Sequence, residues 1–87
     1  MMASYQIEIK PSASRELEKL PRQIIPRIVE AIKELAESPY PQGVKKLTGF
    51  DRTYRIRVGD HRILYNIYQD KLIIEIIRIR HRKDAYR

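Results

Sequence analysis

The feature that most constrains this chain is the spacing of its second half, where three apolar-rich segments are separated by two turn candidates. Residues 54–58 alternate, with Tyr54, Ile56 and Val58 on one side and Arg55 and Arg57 on the other. Gly59 and Asp60 follow, with glycine first, the order that suits a type II′ hairpin. Residues 61–69 form the next segment, rich in Ile and Tyr, and Asp70 and Lys71 offer a second turn. Residues 72–80 complete the run, and their first half is apolar on both faces, as in a central strand. Period-two segments joined by tight turns fold as a three-stranded antiparallel meander. A meander alone leaves one apolar face bare, so the first half of the chain must cover it.

That first half has the elements to do so. Residues 5–10 alternate as a half-buried strand, which Pro11 ends. Ser12 is a plausible N-cap, and Ala13, Leu17 and Leu20 then recur at helical spacing until Pro21. A second helix is expected over residues 21–38. Ile25, Ile28, Ile32, Leu35 and Ala36 mark one face of it and Glu30, Lys33, Glu34 and Glu37 the other. Pro26 falls near its first turn, where a missing N–H is tolerated. The short link at Leu20 and Pro21 makes the two helices an antiparallel hairpin, and residues 38–43 are turn-rich. The expected fold class is α+β: an N-terminal strand, a helical hairpin, then the meander. The helices pack on one face of a four-stranded sheet. Eighty-seven residues make one domain, residues 1–87. The other sheet face has no element left to cover it and should meet solvent or a partner.

Charge points to the nature of that partner. The net charge is +7. Residues 1–43 carry six basic and six acidic side chains, whereas residues 44–87 carry twelve basic and five acidic ones. The whole excess therefore lies in the meander half, and eight of its twelve cations are arginine. Arginine favours planar, bidentate contact with phosphate, so this asymmetry implies a polyanionic partner. Other classes are excluded by what the sequence lacks. There is no cysteine, hence no disulfide framework, thiolate nucleophile or cysteine-ligated zinc. Gly43, Gly49 and Gly59 do not form a phosphate-binding loop. His61, His81 and the scattered acids lack metal-ligand spacing, so no metal or cofactor is expected. No apolar run approaches the roughly 20 residues of a membrane span. The N-terminus lacks the pattern of a secretion signal, and the expected location is cytoplasmic.

Geometry turns the arginines into a candidate site. If Gly59 and Asp60 form a two-residue turn, Val58 faces His61 and Arg57 faces Arg62. Like charges opposite one another destabilise a strand pair. Arg55 shares their face and adds to the repulsion. Such frustration is expected where an external anion supplies the counter-charge. Arg78, Arg80 and Arg82 also share one face while the last strand lasts. Which face is left open, because one residue of slip at the preceding turn reverses every side chain. A phosphate pocket of arginines, with His81 and Tyr86 as proton donors nearby, suits RNA, which brings its own 2′-OH nucleophile. Cleavage requires that hydroxyl aligned with phosphorus, charge stabilised on the phosphate, and a proton moved at each end.

The segments VKKLTG at 44–49, YRIR at 54–57, GDHRILY at 59–65 and IRHRKDAY at 79–86 occur in an order that resembles the RelE/ParE toxin superfamily of bacterial and archaeal toxin–antitoxin systems. The resemblance implies a ribosome-dependent endoribonuclease that cleaves mRNA. The alternative is a ParE-like toxin that shares the fold but inhibits DNA gyrase. By position, Arg55 and Arg57 match a basic pair on the first meander strand, where lysine is also common. Arg62 matches the arginine opening the next strand, Arg82 a C-terminal arginine and Tyr86 a terminal tyrosine. The implied phosphate-binding set is Arg57, Arg62 and Arg82, with Tyr86 or His81 moving protons. Arg55 and Arg80 would hold the RNA backbone, and Lys45 and Lys46 would contact ribosomal RNA. The implied partners are mRNA, the ribosome and a RelB-like antitoxin, acidic and partly disordered when free, with no membrane. Arginine at positions 55 and 57 leaves the general base open, since a guanidinium is always protonated. Tyr86→Phe keeps the ring and deletes only the hydroxyl. Cleavage and growth arrest should both fall in induced cells, and persistence of both would make Tyr86 a packing residue.

Overall fold

The computed structural model describes residues 4–81 and 83. Its elements are β1 (Gln6–Ile9), α1 (Pro11–Glu18), α2 (Ile25–Leu35), β2 (Lys45–Lys46), β3 (Thr53–Val58), β4 (His61–Tyr68) and β5 (Ile73–His81). They form one five-stranded sheet in the order β1-β5-β4-β3-β2. β1 runs parallel to β5, and all other pairs are antiparallel. The fold class is the expected α+β, with one strand more than expected. The extra strand, β2, has two residues, too few to show any periodicity, and pairs Lys45 with Arg55 and Lys46 with Tyr54.

Both helix starts differ from the sequence reading, and proline explains each. Pro11 opens α1 rather than merely ending β1. Its φ is preset for the helix, and its missing N–H is one that the first turn leaves unbonded anyway. Lys10, in extended conformation, holds the N-cap position with no side-chain cap bond, so Ser12 lies inside the helix. α2 begins at Ile25 rather than at residue 21. A helix begun at 21 would place Pro26 beyond the first turn, where it removes a backbone bond. Instead the Ile24 N–H closes a turn on the Pro21 carbonyl at 3.1 Å, and Pro26 falls in the first turn of α2. α2 ends at Leu35, where Ala36 and Glu37 donate to carbonyls three residues back.

Ile28, Ile32 and Leu35 of α2 and Ala13 of α1 join Ile56, Ile63, Tyr65, Ile67, Ile74, Ile76 and Ile79 in one buried cluster. The helices thus cover one sheet face, as the alternation required. β5, the most apolar strand, lies between β1 and β4, as expected of a central strand. The β3–β4 turn is the two-residue one read from sequence: Val58 pairs with His61, and Gly59 has φ +59°. The β4–β5 loop is longer than the two or three residues expected around Asp70, since Tyr68 pairs with Ile73.

The decisive irregularity is in β5. Arg62 pairs with Arg80, Ile63 with Ile79 and Leu64 with Arg78, but Tyr65 pairs with Ile76. Ile77 is therefore an extra residue, a β-bulge, and the inward–outward alternation reverses across it.

One polar contact ties the α2–β2 connection to the core. The Tyr65 hydroxyl, on a fully buried ring, donates to the Pro39 carbonyl at 2.9 Å. Tyr65→Phe should cost about 1 kcal/mol by leaving that carbonyl without its donor. Thermal unfolding should show a midpoint lowered by roughly 5 °C.

Candidate functional site: a basic sheet face

The sheet face that no described helix covers carries its cations in two rows that cross the strands. Paired residues on neighbouring strands point the same way, so the register defines each row. The first row is Arg57, Arg62 and Arg80, on β3, β4 and β5. The second is Lys45, Arg55, Leu64 and Arg78, on β2 to β5. The register left open by the sequence is thereby fixed: Arg78 and Arg80 share the face of Arg57 and Arg62. Below these rows the face turns polar and acidic. Thr53, Asn66 and Glu75 form the next row, where Thr53 Oγ1 donates to Asn66 Oδ1 at 2.6 Å and Asn66 Nδ2 to Glu75 Oε1 at 3.1 Å. Glu8 of β1 stands beside Glu75. The arginine rows thus lie toward the Gly59 turn, and toward the β4–β5 loop the acids are mixed with Arg52 and Lys71, which sit over the Tyr68 ring.

Within the basic half lies a recess of about 260 Å³, lined by Gly43, Lys45, Arg55, Ile56, Arg57 and Arg62. Among the described residues, every charged side chain in its wall is a cation. Arg57 is exposed, whereas Arg62 is only 4% exposed. Arg62 therefore does not splay into water as a solvated surface arginine does. A buried guanidinium directly opposite another arginine makes a fixed positive site, and its donors match phosphate geometry.

Not every residue singled out in the sequence joins this site. Lys46 pairs with Tyr54 and by alternation stands on the opposite face from Lys45. His81 pairs with His61 across β4 and β5, in register with Val58, on the helix side of the sheet. The two rings meet edge to face at 5.2 Å, and His81 Nδ1 accepts the Lys83 N–H at 3.2 Å. Both histidines line a larger hollow of about 730 Å³ at the α1–α2 link, with apolar walls and charges of both signs. Arg82 and Tyr86 lie outside the described residues. The sequence reading missed Glu16. Its Oε1 accepts the Ile79 N–H at 2.9 Å and its Oε2 accepts Arg80 Nε at 3.0 Å, with Arg78 Nη1 at 3.8 Å. No local signal marks it, because its partners lie 63 and 64 residues along the chain.

Among the described residues, no group of three or more His, Asp or Glu is placed to hold a metal. No helix there is long and apolar enough to cross a membrane. The fold and face define a small α+β domain with a recess lined by arginine and lysine on one sheet face. Comparison with known proteins places it further. Residues 7–86 match the family described as ParE toxin of type II toxin–antitoxin system, parDE. Toxin RelG of Mycobacterium tuberculosis is 33% identical over 84 residues, covering 95% of this chain and 97% of the relative. The toxin–antitoxin complex RelBE2 of the same organism superposes with a TM-score of 0.81 at 30% identity, over 91% of this chain and 99% of the matched one. The archaeal RelE–RelB complex of Pyrococcus horikoshii OT3 gives 0.81 at 28% identity, over 91% and 96%. The chain belongs to the RelE/ParE family of type II toxins.

His61 gives the site region a measurable pH response. Burial, and secondarily the charge of His81, hold its imidazole below the ordinary value, and Asp60 opposes them. Between the lowered native value and the unfolded one near 6.5, the unfolded chain binds more protons. Stability should therefore fall as pH drops below about 6.5. Urea midpoints at pH 7.5 and 5.5 should differ less in His61→Phe than in the parent chain.

Proposed function

We propose that this toxin is a ribosome-dependent endoribonuclease that cleaves mRNA and so arrests translation. The observation that carries the reading is the recess walled by Lys45, Arg55, Arg57 and Arg62 on an otherwise uncovered sheet face. Lys45, Arg55, Arg57 and Arg62 gather like charge on neighbouring strands, which disfavours their pairing, and a bound phosphate would offset that repulsion. In this reading the 2′-oxygen of the RNA attacks the adjacent phosphorus, and the bond to the 5′-oxygen breaks. Arg57 and Arg62, with Arg82, stabilise the negative charge that builds on the phosphate oxygens. Arg55 and Arg80 hold the backbone, and Lys45 extends the contact toward ribosomal RNA. One proton leaves the 2′-OH and one reaches the departing 5′-oxygen. Tyr86 is the better candidate for these transfers, since the His81 ring is turned to His61 on the far side of the sheet. With its arginines always protonated, the protein relies on the ribosome to align the message.

The natural antagonist is an acidic RelB-like antitoxin, consistent with the RelE–RelB complexes among the structural relatives and with the +7 charge. The family match through a ParE toxin description supports the other reading, a toxin that binds DNA gyrase and has no catalytic set. One experiment separates the two. Purified toxin is incubated with programmed ribosomes, with the same mRNA free, and with gyrase and supercoiled DNA. Rapid cleavage of ribosome-bound message, with far slower cleavage of free RNA, is expected. Arg62→Ala should lower that cleavage roughly a hundredfold or more, by analogy with loss of one transition-state donor. Equal cutting of free RNA would remove the ribosome from the mechanism, and gyrase inhibition without RNA cleavage would favour the second reading.

A further inference from the structure

We propose that Glu16 is a positioning residue for this site, acting through Arg80. The inference deepens the proposed nuclease reading and rests on it. β1 pairs with β5 only as far as Ile9 and Ile76, after which the chain turns away into α1. Beyond that point the outer edge of β5 has no neighbouring strand among the described residues, and the N–H groups that point away from β4 need other acceptors. Glu16 supplies one. Its Oε1 takes the Ile79 N–H at 2.9 Å, so the carboxylate occupies a place that a further β1 residue would fill.

The second oxygen does something an edge cap does not require. Oε2 accepts Arg80 Nε at 3.0 Å, and Arg78 Nη1 lies 3.8 Å away. By register the backbone of Arg80 stands in the row of Arg57 and Arg62, and its side chain reaches over the β5 edge to Glu16, beside the recess rather than in its wall. Unrestrained, neighbouring guanidinium groups repel and swing apart. A carboxylate on Nε restrains rotation of the Arg80 guanidinium, and the terminal amino groups are then the atoms that would meet a phosphate. This is the logic by which a buried acid orients a catalytic imidazole through the nitrogen that faces away from substrate. The charge balance agrees. One carboxylate between two arginines lowers local repulsion and leaves the row net positive, so an anion is still attracted.

The two roles of Glu16 separate by substitution. In Glu16→Gln the amide carbonyl still accepts the Ile79 N–H, so the strand edge stays closed. The amide nitrogen then meets the Arg80 Nε–H donor against donor, and the anchor is lost. Single-turnover cleavage of ribosome-bound mRNA should slow by roughly ten- to hundredfold at saturating toxin. The half-saturating toxin concentration should change less than about threefold, because the other cations remain. In an Arg80→Ala background, Glu16→Gln should have no further effect. A full additional loss in that background would overturn the proposal, as would a parent rate at saturating toxin in Glu16→Gln. Loss of thermal stability alone would reduce Glu16 to an edge cap and likewise overturn it. If the unmutated toxin leaves ribosome-bound message intact, the nuclease reading falls by itself. Solvent exchange of the Arg80 Nε–H, followed by NMR, then decides: faster exchange in Glu16→Gln than in the parent supports the anchor, and an unchanged rate overturns it.

Discussion

In β5, Ile74 and Ile76 point into the core, and strict alternation would send Arg78 and Arg80 there as well. The bulge at Ile77 prevents this. By adding one residue opposite the Leu64–Tyr65 step, it lets Ile79 re-enter the core and turns both arginines outward. The cost of burying two guanidinium groups in an isoleucine core far exceeds that of one disrupted ladder position. The basic rows, the recess they border and the reach of Arg80 to Glu16 all depend on this reversal.

The same bulge marks the limit of what the sequence discloses. The meander, its Gly59 turn and the opposition of Arg57 and Arg62 are local consequences of period and turn chemistry, and all appear in the structure. The facing of the last strand is not local. It depends on where one extra residue is absorbed, and residues 73–77 are apolar whichever way they face, apart from Glu75. β2 escapes detection because it exists only through its pairing with β3. The prolines at 11 and 26 mislead for a related reason. Proline reads as a stop, yet here each lies in the opening turn of a helix. The pairing of His61 with His81 likewise emerges only once β4 and β5 are in register.

Arg62 shows how the fold tolerates a frustrated face. It is nearly fully buried, beside an exposed Arg57, in a sheet whose opposite face is almost pure isoleucine and tyrosine. The apolar side supplies the stability, at about 25 cal/mol for each Å² removed from water, and the polar side can then be arranged for binding. Division of labour between sheet faces also explains the acids toward the β4–β5 loop. There Glu75, bonded by Asn66 and flanked by Glu8, shares the end with Arg52 and Lys71 over the Tyr68 ring, so charge of both signs meets where the arginine rows stop.

The parallel pairing of β1 with β5 has a kinetic consequence. Gln6 meets Ile73, so the first strand docks on the last one, and the place between β1 and β4 stays empty until residue 73 and those after it arrive. Contacts of such long sequence separation close large loops and form late. Until they form, β1 has no partner, the α1 cap over the β5 edge has nothing to cap, and the third arginine of the upper row is absent. A nascent or truncated chain therefore carries the cations without the arrangement that makes them a site. Assembly of the binding face should coincide with global folding rather than precede it.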